Sequence, residues 1–436
     1  MSVLAAIAIL ALLIVVHELG HFTAARAQGI YANRFSIGFG PILLKYQGKD
    51  TEYAIRAFPL GGFVGFPDDD PDSEIPPNDP NLLRNRPVID RAIVISAGVI
   101  ANLIFAYLVL VLQFSTVGVL EAQQPGVLVP QLVSEVSQVT SAASQSGLKP
   151  GDNLLVVNGQ EVSKFLEEQG SDRTLVAKTS EPLEVTVLRE QERVKFRLTA
   201  EAGEATGITL VPTVASQAGL KPGDVVLSAN GREFGRSFRE RDALRDMIRK
   251  SSGESLRLQV KRGNQQFPIT LLPKADPDGE VRIGVTLAPN GPKENPGAYR
   301  RPDSLAQSFT LAADEFQRIV VLTVQGFGQL ISNFQKTANQ VAGPVAIVAI
   351  GASIAKQDAA SLFQFAALIS INLAIINILP LPALDGGQLA FLLVEGVRGK
   401  PLPTKIQDGV MQTGLVLLLG LGIFLIIRDT ANLWVR

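Results

Sequence analysis

Only two histidines occur in 436 residues, and they stand four apart in His17-Glu18-Leu19-Gly20-His21. Residues four apart on a helix share a face, so both imidazoles can reach one metal ion. Glu18 lies between them, where it can lean over the metal and take a proton from a bound water. Residues 3–16 are uniformly apolar, and a charged Glu beside them is costly unless the chemistry requires it. The bland reading, two stray histidines on a helix face, leaves that charge unexplained.

A catalytic zinc takes three protein ligands and keeps a position open. The chain has no cysteine and no further histidine, so the third ligand is a carboxylate. No acid follows His21 until Asp50, which sends the search far downstream to Asp358, Asp385, Glu395 and Asp429. His17 lies about 22 Å along a helix from the start, and a hydrocarbon core is about 30 Å thick. The metal therefore belongs inside a bilayer, nearer the inner face, at the level of Asp385 and Glu395. Asp385 has the better surroundings, Asn377-Ile-Leu-Pro380-Leu-Pro382-Ala-Leu-Asp385-Gly386-Gly387. Two prolines break a helix and free carbonyls, and two glycines allow close backbone approach. The rival reading is a loop that ends a helix with a capping Asp.

The elements that must position these groups follow from hydropathy. Hydrophobic residues make up 46% of the chain and charged residues 19%, which implies a membrane part and a soluble part. A net charge of −1 gives no reason to expect a nucleic-acid partner. Four segments are apolar enough to span a bilayer: 1–25, 92–116, 359–387 and 409–428. No Lys or Arg precedes Arg26, which argues against a cleaved signal peptide for the first. The segment from Arg26 to Arg91 carries eight Lys and Arg, and Arg398, Lys400 and Lys405 lie between the last two spans. By the positive-inside rule both loops face the cytoplasm, and the N-terminus, the long middle region and the C-terminus face out.

The middle region repeats. Residues 144–159 read SQSGLKPGDNLLVVNG and residues 216–231 read SQAGLKPGDVVLSANG, an offset of 72. Each unit has a Gly-Leu-Lys-Pro-Gly-Asp turn, a strand, an Asn-Gly turn, a helix and an alternating hairpin. This pattern resembles the circularly permuted PDZ domain, here in tandem over 125–205 and 206–290. PDZ domains take an extended peptide or chain end as an added strand, although two such domains could also serve only as packing. Residues 26–91 form a loop with a short hairpin around Pro59-Leu60-Gly61-Gly62-Phe63 and a solvated stretch at 67–90. Residues 304–335 have the periodicity of an amphipathic helix lying along the membrane surface.

Taken together, the early H-E-x-x-H, the late N-x-x-P-x-P-x-L-D-G and the PDZ pair between them resemble the site-2 protease family of intramembrane zinc metalloproteases. Within that family the chain resembles the branch of the regulators of sigma-E protease, and the resemblance covers nearly the whole chain. It implies a multi-pass α-helical membrane protein with four transmembrane helices and two inserted α+β PDZ domains, set in the cell inner membrane with the PDZ pair on the periplasmic side. It implies one catalytic Zn2+ held by His17, His21 and Asp385, with Glu18 as catalytic residue. Substrate contacts are implied for Asn377, Pro380, Pro382, Asn102 and the Gly61-Gly62 loop. Gly343-Pro344-Val345 matches a further family motif. The implied substrates are single-span membrane proteins, such as anchored anti-sigma factors or remnant signal peptides, trimmed first by an upstream site-1-type protease. The second span departs from the usual A-G-P-x-x-N, with Val99 in place of proline in Ala97-Gly98-Val99-Ile100-Ala101-Asn102. Two rivals stand beside this reading. One is an inactive PDZ scaffold with a structural metal, which would need no base at Glu18. The other is a metal transporter, which would need more His and acids than this chain has.

Overall fold

A computed structural model of the chain describes residues 2–435 apart from 71–72, 141–142, 145, 150–151, 163, 166–173, 178–181, 190–191, 200–205, 212, 276–278, 280, 293–296 and 335–340. The chain divides into one unit of residues 1–119 and 301–436 and another of residues 120–300.

The first unit is built from apolar helices. Helix α1 (Ser2–Ala27) is an unbroken aliphatic run closed by Gly29 in the left-handed region, with the Ile30 amide bonded back to Ala25. Helix α2 (Val88–Thr116) follows Pro87. Small residues let the two approach: a Cβ on Gly20 would stand 2.8 Å from that of Ala101. Helices α4 (Leu305–Ser332), α5 (Pro344–Gln357), α6 (Ser361–Ile378), α7 (Asp385–Arg398) and α8 (Thr404–Val435) complete the unit, α3 lying in the other. Among the described residues, α1, α2, α6 and α8 are long and apolar enough to cross a membrane.

The core lies between α2, α4 and α6, where Ala106, Leu110, Phe114, Ala312, Ile319, Ala367 and Ile371 are buried together. Helix α4 packs Ala312 and Ile319 against α2 and α6, and Thr323 donates to Asn372 at 2.9 Å. The 14-residue α5 was not foreseen, being too short to register as a span. Its N-terminus is capped from α8, where Asp429 Oδ2 accepts from the Ala346 amide at 3.0 Å.

The third apolar segment differs from its expected extent of 359–387. Helix α6 stops at Ile378 and Asp385 opens a separate helix, because Pro380 and Pro382 cannot continue the first. The intervening turn is tight. Ala383 adopts φ 69, and a Cβ on Gly386 would stand 2.5 Å from the Ile378 carbonyl carbon. Helix α8 holds this turn: the Ala383 amide meets Met411 Sδ at 3.3 Å, and Gly414 lies against Pro382.

The expected short hairpin is a folded pair of long strands, β1 (Arg34–Gln47) and β2 (Glu52–Gly65). Residues Arg34–Ile37 pair with Gly62–Gly65 and also with Glu52–Ile55, while Ile42–Gln47 pairs with Glu52–Arg56. Glycines 38, 40 and 61, all at positive φ, make the bends. Phe22 of α1 stacks edge-on to Phe35 and Tyr53, which ties the sheet to the helix that carries the histidines.

Among the described residues, the second unit holds two larger antiparallel sheets and two short two-stranded pairings. The main strands of the larger sheets are β3 (Val127–Val129), β4 (Ser134–Val139), β5 (Asn153–Val157), β6 (Thr174–Ala177), β7 (Leu183–Arg189), β8 (Glu192–Leu198), β9 (Thr206–Val211), β10 (Asp224–Ala229), β11 (Leu256–Arg262), β12 (Gln265–Leu271) and β13 (Ala288–Pro289). The first sheet runs β8-β7-β5-β4-β9-β6, and the second β12-β11-β10-β3-β13. Helix α3 (Glu240–Lys250) sends Leu244 and Ile248 into the core of the second. The repeat appears as duplicated hydrogen bonds. Asp152 and Asp224 each accept from the amide three residues before, both at 2.8 Å. Asn158 and Asn230, at φ 47 and 48, each accept from the strand beyond. The helix expected in the first repeat falls largely outside the described residues.

Sheet pairing redraws the expected division at 205/206. Strand β9, expected to open the second unit, pairs in the first sheet, while β3, expected to open the first, pairs in the second. The first sheet is therefore inserted within the second. A repeat period records local turns, not which sheet a boundary strand joins.

Candidate metal centre

Helix α1 brings His17 and His21 together with their Nε2 atoms 3.3 Å apart and rings nearly perpendicular. Room for them comes from α2. A Cβ on Gly98 would meet His21 Cε1 at 2.7 Å and His17 Cε1 at 2.8 Å. The same helix turns the rings. His21 Nδ1 donates to the Val94 carbonyl at 2.9 Å, which leaves Nε2 as a lone-pair donor. His17 Nδ1 lies 3.3 Å from the Asn102 side-chain amide, whose oxygen is buried with no other partner. An amide turned to present that oxygen gives Nδ1–H its acceptor and fixes the same tautomer.

Helix α7 supplies the third group from more than 360 residues downstream. Asp385 Oδ2 lies 3.2 Å from His17 Nε2 and 3.4 Å from His21 Nε2. These three atoms therefore form a triangle of 3.2, 3.3 and 3.4 Å edges. A tetrahedral zinc with bonds of about 2.0–2.1 Å separates its ligands by about 3.3–3.4 Å. Asp385 Oδ2 is also buried without a hydrogen-bond donor. A buried carboxylate oxygen facing two imidazole nitrogens suits a cation, and the three residues fit zinc. Among the described residues, His17, His21 and Asp385 form the one such ligand cluster.

The other acids have other partners. Asp429 caps α5, Asp358 accepts from Ala360 and Ser361 next to it, and Glu395 on α7 pairs with Arg91 on α2. The Val64 main chain lies near the Glu18 carboxylate, and a Cβ on Gly62 would stand 2.9 Å from Glu18 Cγ. The last segment of the folded sheet therefore lies directly against the glutamate.

Of the residues expected to touch substrate, Asn377 brings its amide within 3.2 Å of His17 Nε2, on the ligand side of the ring. Pro380 and Pro382 lie in the turn before Asp385, and Gly61 packs against the Phe39 ring. Asn102 differs from the rest: it is fully buried behind His17, with no surface to offer a peptide. Gly98, Val94 and Val64 were not singled out from sequence. Only Gly98 carried a signal, as a small residue in a span, because the others act through backbone atoms that any side chain could accompany.

Peptidase family M50 matches residues 5–421. The chain is 57% identical over 433 residues to a protein of Nostoc sp. whose name includes the words zinc metalloprotease, covering 99% of this chain and 97% of that one. It is 41% identical over 434 residues to the membrane metalloprotease ARASP, chloroplastic, of Arabidopsis thaliana, covering 99% and 79%. It is 32% identical over 449 residues to the regulator of sigma-E protease RseP of Escherichia coli, covering 95% and 96%. Among solved structures, the PDZ domain of an SdrC-like protein from Listeria monocytogenes matches 17% of this chain and 76% of its own, at 23% identity and a TM-score of 0.15.

Proposed function

Because the chain belongs to peptidase family M50, a metalloprotease family, we propose that it is an intramembrane zinc endopeptidase that cuts membrane-spanning segments of anchored proteins. The observation that carries this reading is the triangle of His17, His21 and Asp385, closed by a residue from the far end of the chain. Zinc held there supplies a Lewis acid for the scissile carbonyl and lowers the pKa of water to about 7. Glu18 takes the proton of the attacking water and passes it to the leaving amide nitrogen. Asn377, beside the ligand face of His17, donates to the substrate carbonyl as negative charge develops on its oxygen. Asn102 acts behind His17 as a positioning residue and does not touch substrate.

A transmembrane substrate shields its peptide bonds in its own helix, and unwinding frees backbone groups that lipid cannot satisfy. The Gly62–Gly65 segment beside Glu18 is placed to pair with the unwound chain and offset that cost. Gly62 permits the approach because any side chain would meet Glu18.

The four long apolar helices cross the membrane with the charged 26–91 loop inside and the 120–300 unit outside, on the periplasmic face of an inner membrane. That unit is a PDZ pair, supported by its duplicated turns and sheet orders. Bulky ectodomains collide with it, so substrates reach the site after an upstream protease has trimmed them. An inactive scaffold is not favoured, since a structural metal needs no glutamate against its ligands. The test is Glu18→Gln with a co-expressed single-span substrate, read by immunoblot. Cleavage should fall at least 100-fold, and a wild-type rate would rule the mechanism out.

A further inference from the structure

We propose that the first outer sheet has its peptide-accepting edge filled by the chain itself, through β6, so that an extended peptide can add only to the second sheet. The inference rests on reading the outer unit as a PDZ pair. It begins with equivalent edges. Gly207-Ile208-Thr209-Leu210-Val211-Pro212 at β9 resembles Gly284-Val285-Thr286-Leu287-Ala288-Pro289 at β13, and each strand follows a central pairing partner at the same end of its sheet order. Among the described residues the second sheet ends at β13. The first does not end at β9. Strand β6 adds to it antiparallel, pairing Thr174 with Thr209, Leu175 with Ile208, Val176 with Gly207 and Ala177 with Thr206. That is the hydrogen-bonding pattern by which a peptide augments a sheet edge.

The same stretch of the repeat folds differently in the two copies. At the offset of 72, Thr174–Ala177 corresponds to Asp246–Arg249, which lies in the second half of α3. The second copy reads ERDALRDMIRK, rich in helix formers with Ala243, Leu244, Met247 and Ile248 at helical spacing. In the first copy Gly170-Ser171 interrupts, and the Thr-Leu-Val-Ala that follows favours extended backbone. Leu175 then anchors the strand, 3% exposed and packed in the core with Ile208 and Leu210. A segment tethered in this way acts at an effective concentration of roughly 1 mM. A free peptide of equal intrinsic affinity at about 10 μM would hold the edge about one time in a hundred.

The test uses the full-length protein in detergent micelles, where the absence of native cysteine makes any intramolecular disulfide the engineered one. Thr174→Cys with Thr209→Cys spans the β6–β9 register, and Thr186→Cys with Lys195→Cys across β7–β8 is the control. Diamide should join both pairs to similar yield, and a control that joins beside a test pair that does not overturns the proposal. In a second arm the probe is a fluorescent Arg-Thr-Leu-Val-Ala-Lys peptide, read by anisotropy titration. Leu175→Ser should add one peptide site per chain over the wild type, and adding the oxidised test pair to that variant should remove it. An equal, non-zero number of sites in wild type and variant overturns the proposal. If the disulfide forms and no variant binds the probe, the self-pairing stands and it is the PDZ reading that fails.

Discussion

Replacing Gly98 by alanine should remove the zinc and leave the helix that carries the mutation at least as stable. The added Cβ would stand 2.7 Å from His21 Cε1 and 2.8 Å from His17 Cε1, and closer still to His21 Nε2. Ordinary contact begins near 3.4 Å, so clearing Cε1 alone moves the His21 ring by about 0.7 Å, and clearing Nε2 moves it further. Metal–ligand distances tolerate about ±0.2 Å, so the shift breaks the bond. It also pulls on the hydrogen bond to Val94, and losses of such outer contacts alone cost about 10–100-fold in metal affinity. We expect zinc affinity to fall at least 100-fold. Alanine also favours a helix interior over glycine by about 1 kcal/mol, so general unfolding is not the expected route. The assay is competition against a fluorescent zinc chelator on detergent-purified protein, with a thermal melt of the apo form. Gly420→Ala on α8, where a Cβ meets nothing within 4 Å, is the control. Wild-type zinc affinity in Gly98→Ala would refute the reasoning.

Three further expectations follow from named contacts. Gly62→Val should cut cleavage of a membrane-embedded substrate at least tenfold while zinc content, measured by elemental analysis, stays at one per chain, because the side chain forces β2 away from Glu18 and not from the ligands. Glu395→Ala should lower unfolding stability by about 3–5 kcal/mol by leaving the half-buried Arg91 unpaired, whereas the double change with Arg91→Met should recover most of it in chemical denaturation. Asp429→Ala should cost about 1–2 kcal/mol by uncapping α5, read as faster hydrogen exchange at the amides of residues 345–347.

What could be read beforehand tracks which information side-chain types carry. His17, Glu18 and His21 announce themselves because charge and imidazole are rare in an apolar helix. Asp385 could be reached because prolines mark where the helix must break. The backing of the site was less legible. Val94 and Val64 act through main-chain atoms, and Asn102 looked like a substrate contact because sequence does not say which side of a ring an amide lies on. The duplicated turns were plain in the 120–300 unit because local hydrogen bonds dictate them. The exchange of β3 and β9 between sheets was not, since long-range pairing is a choice among similar strands.

The distance along the chain between the imidazoles and the carboxylate also sets a clock. At about 5–20 residues per second, a ribosome that has made His21 needs roughly 20–70 s more before it adds Asp385. Throughout that interval the nascent protein holds two of its three metal donors, in a bilayer crowded with other newly inserted helices. On the function proposed above, a hydrolase that cuts such helices would stay unarmed until its own synthesis was nearly finished, and a prematurely terminated fragment would never become armed.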